Sequence, residues 1–302
     1  MVPDQVRPSN PLPAGLFAGN GYGKLIGATQ LSELGVIETP IVLTATLSAF
    51  LAADALLGWM LDRPECAQVR SLNPVVGECN DGFLSDIRSR PIRAEHVRTA
   101  LDRAVGGPVP VGCVGAGTGT GALGFKAGIG TASRVLSMPA SPVRTGEGGE
   151  PSEGGTVTIG VLIQANFGGT LRFRGNEIEP IRQPPDVDPE GQDGSCMIVL
   201  ATDAPLDARQ LTRVARRAVF GLGRVGASYG HSSGDYGIAF STVDTLCSVP
   251  ARERIADRDL DPIFEATLDI VEEAVLDSLL AAVPTTGLSG RTLPALQPDA
   301  LR

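Results

Sequence analysis

Gly191-Gln192-Asp193-Gly194-Ser195-Cys196-Met197-Ile198-Val199-Leu200-Ala201-Thr202-Asp203 divides the chain. Before it lies a loop rich in proline and acid, Pro180 to Gly194; from Ser195 onward runs an apolar stretch that reads as a buried strand. A serine at the first position of a core strand, behind a flexible Asp-Gly, is placed as the nucleophile of a chain that cuts itself. Its hydroxyl can reach the Gly194 carbonyl, because glycine tolerates the strained backbone such an attack needs. Scission would leave Ser195 with a free α-amino group of pKa roughly 7.7–8.0. That amine can act as general base toward the hydroxyl of its own residue. The Gly-Ser step alone reads first as a plain turn entering a strand, and other residues have to decide.

Outward from this strand, helical and strand signals alternate. Asp207 is an N-cap with Gln210 three residues on, and Leu211, Val214, Ala215, Ala218, Val219 and Leu222 share one face of the helix that follows. Arg209, Arg213, Arg216 and Arg217 lie off that face, and Gly221 and Gly223 end it. Asp261-Pro262 opens a long helix through Ile263, Leu268, Val271, Val275, Leu279 and Val283. Leu47–Leu61 and Arg93–Val105 are further helices, and Val36–Thr46, Thr156–Ala165, Thr170–Arg174 and Tyr236–Ser241 are strands. Asn20-Gly21-Tyr22-Gly23, between Ala14–Ala18 and Lys24–Ala28, predicts a β-hairpin. Pro74–Val76 leads into Gly77-Glu78-Cys79-Asn80-Asp81-Gly82-Phe83, read as a turn-rich stretch. Residues 137–155 form a low-complexity insertion between strands. No boundary interrupts the alternation, so residues 1–302 are expected to form one layered α/β domain.

Composition narrows the function. A formal net charge of −9 and the absence of any basic block argue against nucleic acid or an anionic membrane surface as partner. The five cysteines form no CxxC, and no histidine–carboxylate cluster has metal-ligand spacing, so neither cofactor nor metal is expected. Ile41–Ala53 is too short and too rich in Ser and Thr to cross a bilayer, which takes about 20 residues. No secretory signal opens the chain, and a cytoplasmic protein is expected. Gly119, Gly121 and Gly124 match GxGxxG. More glycine follows instead of a helix, and the next acid, Glu147, lies in the insertion, so a dinucleotide site is not expected.

The two histidines limit a Ser–His–Asp triad to His96, inside a helix, or His231, which could serve Ser195 only across space. The self-cutting alternative needs oxyanion donors and groups that orient the new amine. Asn166, ending the strand Gln164-Ala165-Asn166, can supply a donor. Ser233 and Asp235, at the mouth of the Tyr236 strand, can polarise the amine. A strand-end Asn and an Asx or ST turn remain the plain readings of these residues.

The chain resembles the L-aminopeptidase/D-esterase (DmpA) and β-peptidyl aminopeptidase group of self-processing N-terminal-nucleophile hydrolases, peptidase family S58. The resemblance runs through Pro13-Ala14-Gly15-Leu16-Phe17, Glu38-Thr39-Pro40-Ile41, Gly117-Thr118-Gly119, Gly124-Phe125-Lys126-Ala127-Gly128-Ile129-Gly130-Thr131-Ala132-Ser133-Arg134 and Val161-Leu162-Ile163-Gln164-Ala165-Asn166. It continues through Gly194-Ser195, Ala201-Thr202-Asp203-Ala204-Pro205-Leu206 and Ser232-Ser233-Gly234-Asp235. It implies a four-layer α/β/β/α sandwich with two stacked central sheets, cut at Gly194-Ser195 into an α chain (1–194) and a β chain (195–302) and assembled as a homo-oligomer. It makes Ser195 the nucleophile and new N-terminus, places Asn166 in the oxyanion hole, and gives Ser233 and Asp235 the task of orienting the amine. Short peptides, amino-acid amides or esters are the implied substrates.

Two departures accompany the resemblance. Asn80 stands beside Asp81-Gly82 where members carry an aromatic hydroxyl, leaving that hydroxyl's share of the oxyanion site unassigned. Met1–Leu12 does not supply the strand-forming segment with which members begin, so either a truncated chain or a sheet lacking an edge piece is expected, with impaired self-cleavage. An acyltransferase of the ornithine acetyltransferase type, which uses threonine as nucleophile, and an unprocessed scaffold protein are the alternatives.

Overall fold

A computed structural model describes residues 1–3, 6–138, 155–180, 194–243 and 255–302. In chain order its elements are β1 (Leu12–Gly21), β2 (Leu25–Ile26), α1 (Ala28–Leu34), β3 (Val36–Ile37), β4 (Ile41–Ala45), α2 (Ala49–Leu61), β5 (Val75–Cys79) and α3 (Ala94–Asp102). There follow β6 (Gly121–Ala122), β7 (Phe125–Lys126), β8 (Ile129–Ser137), β9 (Thr156–Asn166), β10 (Leu171–Phe173) and β11 (Asn176–Ile178). Toward the C-terminus come β12 (Ser195–Thr202), α4 (Ala208–Gly221), β13 (Gly234–Ser241), α5 (Asp261–Leu280), β14 (Thr285–Thr286) and β15 (Thr292–Leu293). The interior of the low-complexity insertion and most of the Pro180–Gly194 loop lie outside the described residues.

A six-stranded sheet has the order β3-β1-β13-β12-β9-β8, and a three-stranded sheet the order β2-β5-β4. Each contains one parallel pair joined through a helix: β12–α4–β13 in the larger, β4–α2–β5 in the smaller. The period of two along each strand decides which way its side chains go. Cys196, Ile198 and Leu200 join a core with Leu211, Val214 and Ala218 of α4 and Ile270, Val271 and Ala274 of α5. Val199, on the opposite face of β12, packs with Ile41 and Val75 of the smaller sheet. Val76, turned the other way from Val75, meets Ala52, Leu56 and Met60 of α2, with Val97 and Leu101 of α3 in the same cluster. The layers are therefore helices, six-stranded sheet, three-stranded sheet, helices, which is the expected α/β/β/α sandwich.

The sheets approach most closely near the start of β12. A Cβ on Gly77 would stand 2.8 Å from Met197 Sδ, inside contact distance, so only glycine admits the methionine there. The capping box expected for α4 is present, with Gln210 N–H donating to Asp207 Oδ1 at 2.8 Å and Asp207 N–H to Gln210 Oε1 at 3.1 Å.

Three local expectations are corrected. The residues around Asn20-Gly21-Tyr22-Gly23 form no hairpin: β1 belongs to the larger sheet and β2 to the smaller, so Tyr22 carries the chain from one layer to the next. Val36–Thr46 is likewise not one strand, because Glu38-Thr39-Pro40 separates β3 in one sheet from β4 in the other. The stretch read as turns before Asn80 is the buried strand β5. Its register with β4 buries all five residues, glycine and glutamate included. After Gly121 the chain forms a two-residue strand pair and no helix.

Candidate active site

Ser195 opens β12, between β13 on one side and β9 on the other, and it is 3% exposed. The register sets it opposite both Gly234 and Asn166. Its Oγ faces the smaller sheet, where it accepts the N–H of Asn80 at 3.0 Å. Its own carbonyl oxygen accepts the Cys79 thiol at 3.2 Å. Burial pushes that thiol's pKa far up, so it remains a donor. The carbonyl oxygen of Gly194, on the bond that would break, accepts the N–H of Gly234 at 3.1 Å.

Ser233 and Asp235 flank the same bond. The Ser233 hydroxyl donates to Asp235 Oδ1 at 2.8 Å, and it lies 2.9 Å from where a Cβ on Gly194 would stand. Asp235 is 1% exposed, and its Oδ2 is buried without a hydrogen-bond partner. Burial raises its pKa, while the Ser233 hydrogen bond works in the opposite direction.

Asn166 ends β9, with Nδ2 donating to the Asn80 carbonyl at 3.0 Å and Oδ1 accepting the Gly121 N–H at 3.1 Å. Asn80 thus touches both Ser195 and Asn166, and it does so through its backbone. Its side chain accepts the Gly82 N–H at 3.1 Å, closing a tight turn. The departure from the family pattern at this position keeps a donor on the serine without a side-chain hydroxyl. His231 is exposed and stands against Tyr22, ring centroids 6.3 Å apart.

Two residues not anticipated from the sequence complete the site. A cavity of about 40 Å³ is lined by Tyr22, Gly23, Lys24, Thr46, Glu78, Asn80, Gly194, Ser195 and Ser232. Glu78 is 1% exposed. Its Oε1 accepts the Lys24 N–H at 2.7 Å and lies 3.6 Å from Lys24 Nζ, and its Oε2 is buried without a partner. Lys24 Nζ in turn donates to Thr46 Oγ1 at 2.9 Å. Glu78 lies on β5 directly before Cys79 and Asn80, the two residues that contact Ser195. A carboxylate inside an apparent strand was the available signal, and the turn reading of that stretch hid it.

Two larger cavities, about 470 and 540 Å³, follow β4 and α3, and neither is lined by Ser195. The small one is the candidate site, because Ser195, Gly194 and Glu78, with its unpartnered Oε2, line it together.

The profile of peptidase family S58 matches residues 1–293. The chain belongs to that family. Beta-peptidyl aminopeptidase BapA of Sphingosinicella microcystinivorans is 34% identical over 323 aligned positions, covering 100% of this chain and 78% of BapA. The L-aminopeptidase D-Ala-esterase/amidase of Ochrobactrum anthropi, described as a prototype serine aminopeptidase with a variant of the Ntn hydrolase fold, superposes with a TM-score of 0.81. It is 36% identical, over 99% of this chain and 81% of that one. The PH0078 protein of Pyrococcus horikoshii OT3 also gives 0.81, at 39% identity, over 97% of this chain and 79% of its own. The S58 chain described here therefore has the Ntn hydrolase fold. Among its described residues, no helix is long and apolar enough to cross a membrane.

Proposed function

We propose that the chain cuts itself between Gly194 and Ser195 and then acts as an aminopeptidase and amidase through an acyl-enzyme on Ser195. The observation that carries this reading is the pair of hydrogen bonds around one peptide unit: Asn80 N–H on the attacking oxygen, Gly234 N–H on the carbonyl under attack.

In the first step Ser195 Oγ adds to the Gly194 carbonyl carbon, and the developing oxyanion stays on the Gly234 N–H. As the Gly194–Ser195 C–N bond breaks, the hydroxyl proton ends on the Ser195 nitrogen, which leaves as an amine beside Ser233 and Asp235, giving an ester. Water then releases the Gly194 carboxylate. In the second step the freed amine takes the hydroxyl proton as Ser195 attacks a substrate acyl carbon, gives it to the departing amine or alcohol as that bond breaks, and water then hydrolyses the acyl-enzyme ester. Asn166 steadies the oxyanion, and Ser233 with the unpartnered Asp235 Oδ2 holds the amine. Glu78 Oε2 is a ready acceptor for the substrate's own ammonium, which sets an N-terminal residue, and no internal one, beside Ser195.

Short peptides, amino-acid amides and esters are the substrates of this reading, which also takes the protein as a cytoplasmic homo-oligomer and residues 1–302 as one domain. Intact-mass measurement followed by a panel of aminoacyl p-nitroanilides tests the proposal. Two fragments meeting at Gly194/Ser195, with turnover that Ser195→Ala abolishes, are expected. Full peptidase activity in a preparation whose Ser195 remains amide-linked would overturn it.

A further inference from the structure

Glu78 lies at the closed end of the nucleophile's cavity, whereas Tyr22 lines the same cavity with 63% of its surface open to solvent. A substrate with its ammonium on Glu78 and its acyl carbon at Ser195 sends its leaving group outward, past Tyr22. The ring of His231, also exposed, stands beside that of Tyr22 at an interplanar angle of 59°. We propose that Tyr22 and His231 form an aromatic rim that binds the leaving group, favouring substrates whose released amine carries a planar aromatic ring.

The rim is held in place from below. Tyr22 N–H donates to the Ser233 carbonyl at 3.3 Å, and the Asn20 side-chain amide donates to the Gly230 carbonyl, tying the two rim loops together. The Tyr236 hydroxyl donates to the Gly23 carbonyl at 2.9 Å. Ser232, next to His231, lines the cavity itself. An aromatic residue fixed by its backbone at a cavity mouth offers a flat face at little entropic cost, and the contacting His231 ring extends that apolar surface.

This inference rests on the aminopeptidase reading, and one experiment separates the two. Alanine p-nitroanilide and alaninamide share an acyl half and differ in the leaving group. Tyr22→Ala is expected to lower the ratio of their kcat/KM values about three- to tenfold, mainly through KM of the anilide, and Tyr22→Phe to preserve it. Self-cleavage on a denaturing gel reports whether each variant folds. Tyr22→Leu, which keeps bulk without a ring, and His231→Ala carry the same ratio test from either side of the rim. An unchanged ratio in the ring-deleted variants overturns the rim alone. Wild-type protein inert toward both substrates overturns the parent reading as well.

Discussion

The backbone of Gly234 reaches the carbonyl of Gly194 because it runs against the backbone of Gly23: a Cβ on Gly234 would stand 2.4 Å from the Gly23 nitrogen. The donor on the scissile carbonyl therefore depends on glycine. Gly234→Ala must displace β13 or the Tyr22 segment, and the loss of one oxyanion donor is worth about 10²–10³ in rate. Self-cleavage of this variant, timed by the appearance of two bands on a denaturing gel, is expected to slow by that order. Wild-type timing with alanine at 234 would count against Gly234 as the donor.

Asn166→Ala is expected to reduce kcat about 10²–10³-fold on amide substrates. It also leaves the Asn80 carbonyl and the Gly121 N–H without their partner, at about 1–3 kcal/mol for each buried group. Chemical denaturation beside steady-state kinetics resolves the two effects. A variant that is destabilised yet keeps its kcat would remove Asn166 from the oxyanion site.

Glu78→Gln is expected to raise KM for substrates with a free amine, lowering kcat/KM about ten- to a hundredfold, the range of a hydrogen bond to a charged group. The neutral amide keeps the strand packed while it loses the charge facing the cavity. Amine-bearing esters and their hydroxy-acid counterparts should converge in kcat/KM in this variant. Continued discrimination between them would exclude Glu78 as the ammonium acceptor.

Asp235 carries a pH signature. Burial lifts its folded-state pKa above the ordinary carboxylate value, with the Ser233 bond opposing. Between the two values the folded chain holds more protons than the unfolded chain, so stability falls as pH rises through that window. In an uncut Ser195→Ala background, Asp235→Asn removes this slope. The Tm difference between the two should move in favour of asparagine as pH climbs from about 4 toward neutrality. A difference flat with pH would mean the carboxyl is not raised.

Much of this arrangement could be read from residues alone. The capped α4 with its apolar face and α5 each carry a helical period, and the Ser195 strand is a short apolar run opening behind a turn signal. Ser195, Asn166, Ser233 and Asp235 sit at strand ends, where local order and a polar side chain coincide, and the structure brings them together. What stayed hidden was pairing between layers. Asn20 to Gly23 has the chemistry of a hairpin turn, yet the strands on either side of it hydrogen-bond to different neighbours, which no local signal encodes. Glu78 was missed for a related reason: flanking Gly77 and Asn80 look like turn residues, and only the cross-sheet packing of Met197 shows why glycine is needed inside a strand.

The order of the larger sheet has a consequence for the cut protein. β12 and β13 follow the scissile bond, yet they are laced between β1 and β9, which precede it. Severing one covalent link therefore frees neither piece, since each holds the other along two full ladders. Once fully denatured, however, the pieces must find each other by diffusion. Renaturation of the mature protein should speed up with protein concentration, whereas that of the uncleavable precursor should not, and only the precursor retains an intramolecular route back to this fold.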